Sequence, residues 1–485
     1  MFYSREKEIE DINKLFENSN KTVLLYGKRR VGKTELITHI FKDRKSVYFE
    51  CIKDTIDENV RLFVNECKKA GINIPDYASF SSFVDIFDFL NSLKEKYFIA
   101  IDEYPYLKEI NDSLIVDSMF QNIVDHHLSN LNLIISGSSI KTMKDLLIEG
   151  NPLFGRFDLT IKLPEFNYFE ASQFYPNLTN YDKVAMYSVF GGSPFVNKEI
   201  NPSLSLKENI IKTFLKEGGA VFNYVDNMLI SDVANEIQAR RLLSTIANSK
   251  KKYSELTNIL DKEKTGIFVR SLNSLQDLEI ISKYYPINKL NDAKKTQYEI
   301  SDNAIRFFYT YIYKNKTQLN ILGPSAFYDE YIEPTIIEFI SHRFESLARN
   351  YFSLLVKNGL LKGVLNIGTY YYDDPIKKLN GEFDVAIQNR NGFEIYEIKY
   401  LKGKMTKNQL IEEVKQIKQI QEINVCKIGF VSINGFSSDI SGYELITGND
   451  LYSLWTYSAV EQPRIPFWFL KNNNQFLMKC FYDSI

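Results

Sequence analysis

The stretch Thr22-Val23-Leu24-Leu25-Tyr26-Gly27-Lys28-Arg29-Arg30-Val31-Gly32-Lys33-Thr34 decides the fold. Its first part is continuously apolar or β-branched and reads as a strand buried on both faces. The second part fits G-x-x-x-x-G-K-[ST], and a helical pattern opens directly after it. Strand, loop and helix in that order are the context that gives such a pattern its meaning. The glycines let the backbone wrap around an anion. The free N–H groups and the dipole at the helix start favour negative charge.

Working outward, Ser46-Val47-Tyr48-Phe49, Tyr97-Phe98-Ile99-Ala100-Ile101 and Leu131-Asn132-Leu133-Ile134-Ile135 read as further buried strands, separated by stretches of helix length. This alternation predicts an α/β fold with a doubly wound parallel sheet. A nucleotide phosphate is the expected ligand, so ATP and Mg²⁺ are the expected cofactors. Gly27 and Gly32 shape the loop, Lys33 reaches the β and γ phosphates, and Thr34 ligates Mg²⁺. The third strand runs into Asp102-Glu103 at its carboxyl end, where α/β ligand crevices form. Asp102 is expected to hold Mg²⁺ directly or through water, and Glu103 to polarise the attacking water. Ser136-Gly137-Ser138-Ser139 ends the next strand. A polar group there, Ser138, either senses the γ-phosphate or belongs to a helix N-cap before Ile140. Arg156 either acts as a finger on a neighbour's nucleotide or pairs with an acid.

Composition narrows the class. The 485 residues hold 59 Lys+Arg and 61 Asp+Glu, a net charge of −2, so any nucleic-acid surface must be local. Hydrophobic residues are 44% and charged residues 25%, with 22 Gly and 13 Pro, which excludes a long disordered or collagen-like chain. The four cysteines (Cys51, Cys67, Cys426, Cys480) form no CxxC pair. With His39, His126, His127 and His342 they give no zinc pattern, and their number suggests a reducing compartment. The charged start, Arg5-Glu6-Lys7-Glu8, does not read as a signal peptide. No apolar run approaches the ~18 residues of a membrane helix. A soluble cytoplasmic protein is expected.

The motifs of the first ~200 residues together resemble the archaeal-type P-loop ATPases, a branch near the AAA+ and STAND proteins. Phe2-Tyr3-Ser4-Arg5-Glu6 resembles their F-x-x-R-E box, and the phosphate loop differs from their GRRRVGKT only at Lys28. Asp102-Glu103-Tyr104-Pro105-Tyr106-Leu107, Gly137-Ser138-Ser139, Pro152-Leu153-Phe154-Gly155-Arg156 and Gly191-Gly192-Ser193-Pro194 resemble further family blocks. The last implies that Pro194 lies near the nucleotide, in a helical lid.

From about Glu236 to Tyr298 the pattern is helix, helix, helix and a β-hairpin, the layout of a winged helix-turn-helix. Ser254 is the expected cap of the second helix. Lys250, Lys251, Lys252, Lys262, Lys264, Arg270, Lys294 and Lys295 cluster here. This local basic surface suits DNA phosphates, or else it is a solvated face of a domain that packs internally.

In the last third, Gly381–Gln388 and Phe393–Tyr400 flank Asn391-Gly392, a strong two-residue hairpin signal. A turn there pairs Asp384 with Lys399 and Ala386 with Glu397, and puts Asp384, Glu397 and Lys399 on one face. Two carboxylates and a lysine suit Mg²⁺-dependent phosphodiester hydrolysis, with Lys399 orienting or deprotonating water. The pattern resembles the PD-(D/E)xK restriction-endonuclease fold, although Phe383 stands where Pro is usual. That resemblance implies Glu345, on a helix over Phe344–Leu355, as an additional metal-binding acid.

The expected organisation is a P-loop ATPase domain (1–165), a helical lid (166–234), a winged helix with connector (235–330) and a nuclease-like domain (331–485). The expected function is ATP hydrolysis coupled to action on DNA, with nucleotide state controlling the nuclease-like domain. The alternative is a STAND-like switch, or a DNA-binding regulator whose C-terminal domain binds without cleaving. A homo-oligomer is compatible with both, no membrane partner is expected, and the sequence names no protein partner.

Overall fold

The strand that leads into the phosphate loop, β1 (Lys21–Tyr26), sits inside a five-stranded sheet. The computed structural model describes residues 4–75, 77–225, 228–229, 233, 235–260, 266–290, 292, 294–374, 378–420, 423–437 and 442–453. β1 lies between β4 (Leu131–Gly137) and β5 (Leu159–Lys162). The sheet continues through β3 (Tyr97–Asp102) to β2 (Ser46–Glu50), and every pairing is parallel. The predicted α/β parallel sheet is present.

Strand alternation divides the apolar residues between two layers. Val23, Leu25, Phe98, Ala100 and Ile134 face α1 (Glu6–Leu15) and α2 (Lys33–Phe41), packing on Ile12, Ile37 and Phe41. Leu24, Tyr26, Ile99, Ile101, Leu133 and Ile135 face the other way. They meet α3 (Ile56–Lys69), α4 (Phe83–Ser92), α5 (Pro105–Ile110), α6 (Ser113–His126) and α7 (Ile140–Asp145) through Phe63, Phe87 and Phe120. Burial of both faces is why these strands read as continuous apolar runs.

The chain divides into two compact units, Met1–Phe166 with Ser193–Phe195, and Asn167–Gly192 with Val196–Ile485. The segment expected as a lid therefore falls with the second unit except for Ser193–Phe195. That unit contains α8 (Asn180–Phe190), followed later by α9 (Glu236–Ile246), α10 (Tyr253–Leu260) and α11 (Ile267–Asp277). A small sheet in the order β6 (Lys251–Lys252), β8 (Gln297–Ile300), β7 (Ile281–Tyr284) accompanies these last helices. α10 begins at Tyr253, so Ser254 lies in its first turn rather than capping it. Lys262 and Lys264 lie outside the described residues, as do Cys480 and the end of the segment expected as a nuclease-like domain.

The C-terminal part of the second unit is a mixed sheet: β9 (Val364–Asp374), β10 (Leu379–Asn389), β11 (Gly392–Lys399), β12 (Val425–Ser432) and β13 (Glu444–Thr447). The first three are antiparallel and the last two join in parallel. α12 (Ile336–Lys357) packs Phe352 on Tyr396 with ring centroids 4.5 Å apart. α13 (Lys407–Gln419) supplies Leu410, Val414 and Ile417 to the sheet's hydrophobic clusters.

The hairpin register corrects the sequence reading. Asn389 pairs with Gly392, Ala386 with Ile395 and Val385 with Tyr396, so the turn is Arg390-Asn391. Gly392 belongs to the strand because a Cβ there would lie 2.4 Å from the Asn424 carbonyl oxygen. Asn389 Oδ1 accepts the Asn391 N–H at 2.9 Å and starts the turn. The slip is two residues, which preserves the faces. Asp384 does not oppose Lys399, yet it shares a face with Glu397 and Lys399.

In the first unit, buried Asp117 accepts hydrogen bonds from Tyr104 Oη (2.7 Å), Lys108 Nζ (2.6 Å) and Asn151 Nδ2 (2.8 Å). Lys108 is only 7% exposed. Asp117→Ala leaves that ammonium buried without its anion and should cost about 3–5 kcal/mol. Urea denaturation measures this; a loss below about 1 kcal/mol contradicts the assignment.

Candidate functional site

At the end of β1 the chain turns where only glycine fits: a Cβ on Gly27 would lie 2.3 Å from the Leu163 carbonyl oxygen. Gly32, at φ +95°, opens α2 from the left-handed region. Pro194 lies 4.0 Å from where a Gly32 Cβ would stand, and the Arg30 guanidinium covers the Phe195 ring at 3.9 Å. Lys33 is buried and donates to the carbonyl oxygens of Gly27 (3.0 Å) and Lys28 (3.1 Å).

Beside the loop, β3 delivers Asp102. Its Oδ2 accepts Thr34 Oγ1 at 3.1 Å and Tyr48 Oη at 2.6 Å, and its Oδ1 accepts the Glu103 N–H at 2.9 Å. Glu103 adopts φ +49°, a conformation that costs a residue with a side chain about 1–3 kcal/mol. Its surroundings hold it there. Ser138 donates to Glu103 Oε2 from its N–H (3.2 Å) and its Oγ (2.8 Å), and Tyr104 N–H donates to Ser136 O (2.9 Å). Ser139, not Ser138, caps α7 by accepting the Thr142 N–H. Burial, and then the charges of Asp102 and Glu103, push the Glu50 carboxyl up. Thr34 and Asp102 together offer a hydroxyl and a carboxylate, a donor set that suits Mg²⁺ beside a phosphate loop.

Arg156 lies apart from this assembly. It is partly exposed and pairs with Asp125 through Nε (2.9 Å) and Nη2 (3.0 Å), with Nη1 donating to Pro152 O at 2.8 Å.

On the C-terminal sheet, Asp384 sits at a bulge in the β9–β10 pairing, a feature that re-aims side chains. Its Oδ2 accepts the Ile398 N–H at 3.2 Å, and its carbonyl accepts Arg349 Nη1 at 2.7 Å. Glu397 is 12% exposed and lies 3.9 Å from Lys399 Nζ. Lys399 also meets Glu413 of α13 at 2.8 Å. Burial alone would lower the Lys399 ammonium, but Glu413 and Glu397 outweigh it and leave it raised. A lysine so held stays charged. Burial first, and then the charge of Glu345, raise Asp384 to about 7. Burial and the charge of Asp384 push Glu397 well above the carboxylate range.

Glu345, the acid that the resemblance implied, acts on Asp384 through its charge, the second cause of that carboxyl's rise. Its carboxylate lies 3.1 Å from His342 Nδ1, one turn earlier on α12. Among the described residues no three His, Cys, Asp or Glu side chains are grouped to hold a metal ion. Asp384 and Glu397 are two half-buried carboxylates whose mutual repulsion a divalent cation would relieve.

Part of the basic cluster is also engaged. Lys250 Nζ stands 3.3 Å over the Tyr284 ring and 3.4 Å from Glu382. Lys295 Nζ covers the Tyr371 ring at 3.8 Å. Tyr284 Oη donates to Glu382 and accepts from Thr369 Oγ1 at 2.6 Å, and Asn288 Nδ2 donates to Tyr371 O at 2.8 Å. The hairpin thus docks on β9 and β10. Arg270 and Lys294 remain exposed.

The sequence reading missed Tyr48 and Glu413. Tyr48 looked like one more core residue of an apolar strand, and nothing local links it to Asp102. Glu413 is one of several acids on an amphipathic helix, and only the packing of α13 selects it.

The raised carboxyls set a pH dependence. Folded Asp384 holds its proton up to about 7, whereas an unfolded aspartate releases it near 3.9. The folded state binds more protons between these values, so stability without divalent cations falls as pH rises from about 4 to about 7. Asp384→Asn should flatten this slope in denaturation at several pH values. An unchanged slope contradicts the assignment.

Residues 2–198 match a family described as an ATPase domain predominantly from Archaea, and residues 308–416 match one described as "Archaea bacterial proteins of unknown function". An uncharacterized protein of Methanocaldococcus jannaschii is 28% identical over 377 residues, 77% of this chain and 82% of its own. A second from that organism is 24% identical over 316 residues, 59% of this chain and 62% of its own. Among solved structures, a Walker-type ATPase of Pyrococcus abyssi is 17% identical with a TM-score of 0.46, covering 64% of this chain and 96% of that one. The ORC2 protein of Aeropyrum pernix, in ADPNP–ADP complexes, is 10% identical with a TM-score of 0.42, covering 66% and 95%. Residues 2–198 belong to the predominantly archaeal family of P-loop ATPase domains, joined in this chain to a domain from a family of unknown function.

Proposed function

We propose that this protein hydrolyses ATP and acts on DNA, its nucleotide state controlling a metal-dependent hydrolytic site on the C-terminal domain. The observation that carries the ATPase reading is the convergence of Lys33, Thr34, Asp102, Glu103 and Ser138 at the carboxyl ends of adjacent strands. Lys33 and the loop N–H groups take the phosphates. Thr34 and Asp102 hold Mg²⁺, which when bound offsets charge on the phosphates. Glu103 orients the attacking water, and Ser138 holds Glu103.

The nuclease reading is supported by the order of α12, three antiparallel strands, α13 and a parallel strand, with Asp384 and Glu397-x-Lys399 on one face. Asp384 and Glu397 hold the divalent cation, which supplies positive charge for the phosphodiester. Lys399, kept charged, orients water or phosphate.

Chain continuity supports the coupling. Tyr181, in the first turn of α8, stacks on Tyr400 at 4.3 Å between centroids, and Tyr400 Oη donates to Tyr181 O at 3.0 Å. Tyr400 directly follows Lys399. The same helix ends at Phe190 and continues through Gly191-Gly192 into Ser193 and Pro194, the residue beside Gly32.

A second reading is a nucleotide-driven switch or regulator that does not cut. The docking of the β7–β8 hairpin on β9 and β10 favours it, because it uses Lys250 and Lys295 internally.

A cleavage assay separates the two. Protein is incubated with linear and supercoiled DNA and Mg²⁺ or Mn²⁺, with and without ATP. The nuclease reading expects cutting that ATP alters and that Asp384→Ala abolishes. DNA bound but never cut overturns it in favour of the switch.

A further inference from the structure

We infer that Tyr48 is a positioning residue of the nucleotide site, setting the Asp102 carboxylate for Mg²⁺ through its phenolic hydroxyl. The inference rests on the ATPase reading and adds a residue to it.

In the parallel pairing of β2 with β3, Tyr48 aligns with Ala100 and Glu50 with Asp102. Alternation puts Tyr48 on the sheet face that carries Ala100 and Asp102. The ring packs against the cluster that includes Phe98, Ala100 and Ile37. The small side chain of Ala100 leaves the Tyr48 hydroxyl a path along the strand to Asp102 Oδ2, 2.6 Å away. A short bond from a neutral hydroxyl to a carboxylate is charge-assisted and among the stronger kinds.

The donors around Asp102 leave a defined remainder. Tyr48 and Thr34 both donate to Oδ2, and the Glu103 N–H takes one position on Oδ1. A carboxylate oxygen has two lone pairs. Oδ2 is therefore filled, and Oδ1 keeps one lone pair for a cation or its water. Thr34 spends its only proton on Asp102, which leaves its lone pairs to a cation. Without the Tyr48 hydroxyl, Oδ2 has one donor fewer, and the carboxylate turns more freely about its last bond. Outer partners of this type commonly change metal affinity by 10–100-fold.

The test is Tyr48→Phe, which keeps the half-buried ring and removes only the hydroxyl. ATP binding is titrated calorimetrically in EDTA and at increasing free Mg²⁺, alongside thermal unfolding. The expected result is unchanged ATP affinity in EDTA, a midpoint for the Mg²⁺ effect raised about tenfold or more, and turnover that recovers at saturating Mg²⁺. In an Asp102→Asn background the same substitution should have no further effect on the Mg²⁺ midpoint. An unchanged Mg²⁺ midpoint in Tyr48→Phe overturns the inference, as does a loss of ATP affinity in EDTA, which marks a purely structural role. Failure of the wild-type protein to bind ATP in a Mg²⁺-dependent way removes the ATPase reading itself, a distinguishable outcome.

Discussion

The carboxylate of Asp102 is the point on which the first unit's architecture converges. It stands at the end of β3, accepts a hydroxyl from the neighbouring strand through Tyr48, a hydroxyl from α2 through Thr34, and the N–H of the residue that follows it. A charge this buried is tolerable only when its lone pairs are met. Meeting them fixes the first turn of α2 against β3, and with it the phosphate loop, whose Gly27 closes against Leu163. The left-handed backbone of Glu103 is a consequence: the chain must turn there to satisfy Asp102 and aim the next carboxylate at Ser138.

The second unit handles charge differently. Asp384 and Glu397 share a face, are half-buried, and repel each other, with one N–H and a nearby lysine as partial relief. Carboxylates arranged this way hold protons they would otherwise lose, or they hold a cation. The contrast is instructive. At Asp102 the protein supplies three donors and leaves one lone pair of Oδ1 open. At Asp384 and Glu397 it leaves the repulsion in place.

What the sequence made legible followed from range of interaction. The phosphate loop and Asp102-Glu103 are local patterns on strands buried on both faces, and their apolar runs announce the sheet. The β10–β11 hairpin was legible as a hairpin, but its register was not. Gly392 answers to the approach of Asn424, a residue distant in sequence, and the turn moved to Arg390-Asn391. The face shared by Asp384, Glu397 and Lys399 survived only because the slip was even. Glu345 was implied by the family resemblance; on α12 its carboxylate meets His342 one turn away, and its charge raises Asp384. Lys250 and Lys295 read as solvent-facing charge, and the rings that cover them come from strands far along the chain. Tyr48 had no sequence signal, since its role depends on sheet order.

The most direct measurement of the central claim is phosphate release from ATP with Mg²⁺, run beside equilibrium ATP binding, for the wild type and Glu103→Gln. A water-orienting carboxylate at Glu103 predicts that the variant binds ATP as tightly as the wild type and hydrolyses it roughly 10²–10⁴-fold more slowly. Hydrolysis at the wild-type rate in Glu103→Gln would contradict the account.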